Sequence, residues 1–524
     1  MPRRVDYDTQ TDFTGGLNLA KNSAQLLDEE TPDCLNVDMD PRGGFALRRG
    51  VAPWGGSLPG VAHSLLPYIT STGVARVLAG VGTDLYWWNG SSWASVFTGG
   101  PPGPYRSITF KDRLYVVSGN NAVRRWDGSS TATLGDPSGN WNEDIGSPTP
   151  VGSTGHFPKA KVVASYIGSV FAANIVEGST AYPNRIRWSH PLFPEDWMSL
   201  HYVDIDPNDG DEITALVPMG DRLIVFKRNS VYAVYAATHE SVQVSPVSRE
   251  IGAPSQEAVV GTDLGVFFWH EGSGAHLLTA DDQRWIGDRL YPAIEDGRIS
   301  AGRMDEVVVG WLNRRLWVSV PYEGSSTRNL VFVYDPFASK KGAWTQYDLE
   351  VGPFLNFAAP GDAPLPLAAH STESQLLEVD KYGRSTDDFG AGPVHIDAHY
   401  VTRWWSNGRN NQVVKKRWKR PEVLLLGGQD AKITVDVFRD WDLGDVKKSF
   451  HLITSTSGDD AVWDDDNWDE AAWGAEAGDR GELERGSPLG NAKSVALRFQ
   501  GPATNNHWRV DALTMKWVSR RVRN

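Results

Sequence analysis

The residues of this chain that could do chemistry fall into a few clusters. His395, Asp397 and His399 alternate, so one strand face would carry two imidazoles and a carboxylate, a set that suits a transition metal. No fourth ligand is spaced to join them, and alternation also describes a solvated face, so no metal is expected. Asp464, Asp465, Asp466, Asp469 and Glu470 lie among Trp463, Trp468 and Trp473. Calcium takes several carboxylates, but the central Gly and terminal Glu of a helix–loop–helix calcium loop are missing. Packing or a partner contact fits that loop better. Lys415, Lys416, Arg417, Lys419 and Arg420 surround Trp418. Such a run can grip phosphate and stack a base, although a solvated strand face is the plainer reading. It stands as a candidate basic interface, with the 464–470 carboxylates as near partners.

Catalytic groups are harder to find. Asp84, Asp112, Asp221 and Asp263 all precede Leu or Arg-Leu. Their similar placement marks turn formers, whose carboxylates satisfy local backbone groups. A glycosidase pair should break that repeat. No nucleophile elbow, phosphate loop or dinucleotide fingerprint stands out. The expectation is a non-enzyme with no catalytic residues and no cofactor.

The elements that must position these residues are strands. Arg76–Val96, Tyr105–Leu134 and Gly210–Ala236 repeat one cassette: a short apolar strand, a turn with Asp, an alternating aromatic strand, another turn, and a strand ending near Trp or Tyr. Lys161–Ile205, Pro254–Gly287 and Glu306–Tyr347 follow it, and Phe357–Asp380 follows it weakly. Short strands at even spacing, punctuated by Gly, Asn and Asp, predict an all-β fold with a β-propeller of six or seven blades. After residue 393 the strands lengthen, as in HIDAHYV, EVLLLGG, AKITVDVF and WRVDALTMKWV. That alternation predicts an antiparallel β-sandwich. The domains expected are an arm over 1–55, a propeller over 56–390 and a sandwich over 391–524. Helix signals are scarce, with one possible turn at Ser23–Glu30.

Composition sets limits. The 524 residues carry 22 Trp, one Cys and a net charge of −14. One Cys excludes an intramolecular disulfide framework. The charge argues against a surface that coats nucleic acid. No apolar run reaches the ~18 residues of a membrane helix, and the first residues lack a secretory apolar region, so neither a span nor a signal is expected.

Residues 12–50 are the most specific stretch. Gly15 and Gly16 permit backbone angles denied to other residues. Asn36–Asp40 reads as a strand, Pro41–Gly44 as a turn, and Arg48 and Arg49 close a second strand. One reading is an ordinary hairpin. The other is an arm that docks on a neighbouring sheet edge through Phe13, Gly15, Gly16, Leu17, Asn36, Arg48 and Arg49.

Taken in order, four stretches resemble one family: GGLN to NVD and RRG (15–50), RIRWSHPLFPEDW (185–197), DRLIVFKRNSVYAVYA with GAPSQEAVVGTDLGVFFW (221–269), and KKRWKRPEVLLLGG (415–428). The family is the nozzle or tail-hub proteins of short-tailed bacteriophages, which includes tail tubular protein B and packaged-DNA stabilisation proteins. The resemblance implies a structural virion protein, made in the host cytoplasm, assembled as a hexamer below the portal and adaptor. It implies an arm docked on the adaptor, contacts with tail fibres or the tail tip, and a lumen through which double-stranded DNA is retained and then ejected. Six copies at −14 each carry −84, a charge that keeps phosphates off a wall. Asp204, Asp206, Asp209 and Asp211 are then the candidate lumen or gate. Two alternatives remain: a receptor- or carbohydrate-binding propeller using Trp87, Trp88 and Trp93, and a propeller glycosidase.

Overall fold

The computed structural model describes residues 5–143, 155–238, 241–406, 414–427, 432–453, 482–501 and 507–519. Strands dominate them, and seven sheets have four strands each. Blades 1 to 5 run in chain order over 62–97, 106–133, 159–204, 213–248 and 259–285. Blade 6 covers 308–347. Blade 7 takes three strands from 351–378 and its fourth from upstream, Ala52–Trp54. Blades 1 to 5 are antiparallel meanders, as short turns between alternating strands require.

The innermost strands are Ala62–Ile69, Arg106–Phe110, Lys159–Tyr166, Ile213–Met219, Val259–Thr262, Val308–Leu312 and Val351–Phe357. Each contacts the next, and the seventh contacts the first. That circular adjacency is a closed seven-bladed propeller. Its core lies in layers between blades. Tyr115, Phe157 and Trp197 fill one between blades 2 and 3, and Phe226, Val231 and Phe268 fill one between blades 4 and 5.

Two of the four expected turn aspartates accept backbone amides, though from residues 41 and 15 positions away rather than from their own turns, and Asp221 accepts from the Arg222 side chain instead. Asp112 takes a positive φ of 60° and accepts from the Ser71 amide at 2.5 Å and hydroxyl at 2.7 Å. Asp84 accepts the Gly99 amide at 2.9 Å. The weak seventh cassette has a physical cause: its closing strand is not adjacent in sequence.

The chain clusters into two compact bodies. One is Pro53–Val331 with Leu349–Val379, and the other gathers Met1–Ala52, Phe332–Asp348 and Asp380–Asn524. The second body holds two large sheets and two short strand pairs. In one, the twelve-residue strand Trp508–Ser519 is the spine, pairing Glu422–Gly427, Lys416–Trp418, Asp6–Gln10 and Phe45–Leu47. The other runs Cys34–Leu35, His399–Val401, Val495–Gln500, Lys432–Arg439 and Lys448–Ile453. Phe45 of the first sheet stacks on Tyr400 of the second at 4.0 Å, which makes a sandwich core. Within Ser23–Glu30, residues 23–25 and 28–29 form turns and Glu30 opens a short strand, and a short helix lies instead at Tyr291–Glu295.

Candidate functional site

The propeller axis holds a cavity of about 440 Å³, lined by innermost strands of six blades. Its walls include Val308, Trp311, Phe354 and Leu355. Two charged side chains meet in it. Arg106 opens the innermost strand of blade 2, and Glu257 sits in a single turn, Gln256–Ala258, ahead of that of blade 5. Arg106 donates Nε and Nη2 to the two Glu257 oxygens at 2.9 and 2.7 Å, and Nη1 to the Lys161 carbonyl at 2.8 Å. A planar fork on a carboxylate is the strong form of this bond. The pair spans the ring between non-adjacent blades.

Burial opposes ionisation of Glu257, but the Arg106 charge and hydrogen bonds outweigh it and hold the carboxyl below its usual range. Glu212 follows suit: Lys161 at 2.7 Å and Asn174 at 2.8 Å overcome burial there. A glycosidase acid needs a carboxyl held above its usual value. Both carboxyls here are held the other way. A cavity this size suits a small ligand, not a double helix.

The expected arm residues fall within the second body. Phe13, Gly15, Gly16, Leu17, Asn36 and Arg48 are buried, and Arg49 is exposed. Phe13 packs edge-on to Phe45 and Tyr400. Gly16 has φ 68°, and a Cβ there would stand 2.6 Å from the Trp344 carbonyl. Asn36 has φ 55°, and its amide reaches Asp348 and the Asp397 carbonyl, both at 2.6 Å. Arg48 is 1% exposed; it holds both Asp387 oxygens at 2.9 and 2.6 Å and Asn36 at 2.8 Å. The segment is extended, but its side chains bind its own chain.

The acidic loop is not bare. Asp204 pairs with Arg185 at 2.7 Å, Asp206 takes the Tyr232 hydroxyl at 2.7 Å and Arg249 at 3.0 Å, and Asp209 holds the buried Lys227 ammonium at 2.7 Å. Asp211 accepts the Asn229 amide at 2.9 Å. The basic run splits by strand alternation. Lys415, Arg417 and Arg420 are exposed and Lys419 is half-buried, whereas Lys416 and Trp418 point into the sheet. Burial pulls the Lys416 ammonium below its usual range, and it donates to the Ser406 carbonyl.

His399 pairs with Asp33 at 3.0 Å, and among the described residues no three His, Cys, Asp or Glu gather as a metal site. Trp87 lies under Arg76 at 4.0 Å. Trp88 and Trp93 pack with Trp54 of the strand that completes blade 7, and Trp93 donates to the Gly56 carbonyl at 2.7 Å. The 463–473 loop and Arg520, Arg521 and Arg523 lie outside the described residues. Among the described residues no helix is long and apolar enough to cross a membrane.

Sequence reasoning missed Arg106 and Glu257. Nothing local flags them, because they stand 151 positions apart. The sole hint is a charge at the start of an apolar innermost strand.

No protein-family model and no curated protein matches this chain. Among solved structures it is similar to YCF48 bound to a D1 peptide, at 10% identity over 69% of this chain and 100% of that one, with a TM-score of 0.37. It is similar to BBS1N in its complex with ARL6DN, at 13% identity over 66% and 95%, TM-score 0.36. BamB from Moraxella catarrhalis aligns at 10% identity over 66% and 96%, TM-score 0.35.

Proposed function

We propose that this chain is a non-catalytic wall subunit of a short-tailed phage tail, a nozzle-like virion protein. Copies surround one axis, retain the packaged duplex and pass it during ejection. The observation that carries this reading is the blocked propeller axis. A closed ring of blades crossed by the Arg106–Glu257 fork is a rigid block, so the duplex path must run between copies. The Glu257 carboxyl in the axial cavity, held below its usual range, also favours a scaffold over a glycosidase. The order of the four resembling stretches supports the nozzle assignment. Six copies, an adaptor contact, fibre or tail-tip contacts and assembly in the host cytoplasm belong to the same proposal. With six buried arm residues engaged in their own body, an adaptor contact would use Arg49 and the exposed strand Asp6–Gln10.

Mass measurement and negative-stain imaging of the purified chain, alone and with tail particles, test it. The expected result is a ring of about six times 57.7 kDa with a passage wide enough for a duplex. A persistent monomer that never joins a ring in the virion would overturn it.

A further inference from the structure

Blade 5 gathers two imidazoles on one face. Phe268 of strand Gly265–His270, His276 of Gly274–Leu278 and Trp285 of Gln283–Trp285 are direct cross-strand partners, so all three point the same way. Their rings stack in that order. His276 lies 5.3 Å from Phe268 and 6.5 Å from Trp285, nearly parallel to both. His270 stands two residues beyond Phe268 on the same strand and shares its face. The hairpin tip between the histidines brings the Ser273 hydroxyl to both, 2.9 Å from His270 Nδ1 and 2.7 Å from His276 Nε2. Trp285 Nε1 fixes that tip by donating to the Ser273 carbonyl at 2.7 Å.

A hydroxyl carries one proton, so it satisfies one nitrogen lone pair and not two. His270 Nδ1 is an acceptor, because the Gly272 amide also donates to it at 3.3 Å. His276 Nδ1 is buried without a partner among the described residues, so nothing on that side fixes its tautomer. Burial pulls both imidazoles below their usual range, which leaves them uncharged at neutral pH and ready to ligate. Metal–imidazole bonds of ~2.0–2.1 Å put an ion about 3.2 Å from each ring centre, so two rings on one ion stand at most about 6.4 Å apart. The His270 and His276 centroids are 6.3 Å apart. His270 and Ser273 are half-buried and Gly272 is exposed, so an ion can enter at the tip. Glu271 beside them is committed to Arg228 at 2.7 Å.

We propose that His270, His276 and the Ser273 hydroxyl bind one divalent transition-metal ion at the tip of blade 5, copper(II) most tightly, with water in its remaining positions. Two neutral imidazoles suit that class of ion, whereas magnesium and calcium take oxygen ligands. This site does not depend on the wall-subunit reading.

Titration of the full chain with copper(II), zinc(II) and magnesium chlorides tests it, read by calorimetry and tryptophan fluorescence. Copper should fill a site that magnesium does not compete for, and should quench the fluorescence of Trp285, which stacks on one ligand. Trp285→Phe should lose that part of the quenching. His270→Gln and His276→Gln should each weaken this site by at least about tenfold, the lower end of what losing even an outer partner of a metal costs. Ser273→Cys should tighten zinc binding, because a thiolate is the better zinc ligand. Saturating metal should raise the melting temperature of the parent chain and not that of His270→Gln. No copper site at micromolar concentration, equal competition by magnesium, or histidine variants that bind copper as the parent does overturns the proposal. If His276→Gln fails to fold, His270→Gln and Ser273→Cys decide it.

Discussion

Arg48 and Arg249 are both paired with an aspartate, yet they do different work in the two bodies of this chain. Arg48 is fully buried with Asp387, joining residues 339 positions apart in the second body. Arg249 meets Asp206 at the propeller surface, with both side chains about half exposed. Apolar layers between blades hold the propeller, and its ion pairs range from buried ones such as Arg125–Glu195 to this exposed one. The second body threads its first fifty residues between later strands, and a buried charge pair marks where that thread is tied. The difference teaches that an ion pair's weight follows its burial. Breaking a buried pair strands a charge, while breaking an exposed one returns two ions to water.

Three measurements sharpen or break this contrast. The largest effect is expected at the buried pair. Arg48→Ala should cost about 3–5 kcal/mol in urea unfolding, because Asp387 is left uncompensated. The double variant Arg48→Met with Asp387→Leu should regain most of that loss. A single variant costing under about 1 kcal/mol would erase the contrast.

The next effect belongs to the propeller and to pH. His276 stacks on Phe268 and donates to or accepts from Ser273 Oγ at 2.7 Å. Burial, aided by the His270 charge, pulls its imidazole down to about 4. The unfolded chain takes that proton near 6.5, while the folded chain refuses it until about 4. Stability is therefore lost as pH falls from about 6.5 to 4, by up to about 3 kcal/mol. His276→Gln should flatten the urea midpoint over that window; an unchanged slope would place the acid sensitivity elsewhere.

The smallest effect is expected at the surface. Arg249→Gln should change stability by less than about 1 kcal/mol, and raised salt should mimic it in the parent chain. A loss as large as that of Arg48→Ala would mean exposure does not rank these pairs.

The strand cassettes were legible because alternation and turn chemistry are local. Asp112 and Asp84 accept backbone amides as turn formers do, but their partners, Ser71 and Gly99, lie outside their own turns and were not legible. Alternation also sorts Lys416 and Trp418 inward and Lys415 and Arg417 outward. The N-terminal hairpin was legible too, with Val37–Met39 paired to Phe45–Leu47. What it packs against was not, because Tyr400 and Asp387 lie hundreds of residues away. Charge was the poorest guide: the 204–211 aspartates look bare in a string of letters but have local cations and amides as partners.

Period-two patterning and turn residues, read along the chain, were enough to specify strands, their hairpins and an all-β architecture, since each depends on neighbours a few positions apart. Tertiary structure alone decided that Ala52–Trp54 completes the seventh blade, that Arg48 meets Asp387, and that Arg106 and Glu257 cross the axis. Those meetings follow from closing a ring and a sandwich. Closure brings distant residues together through the summed burial of many apolar side chains, so no short stretch of sequence carries its signature.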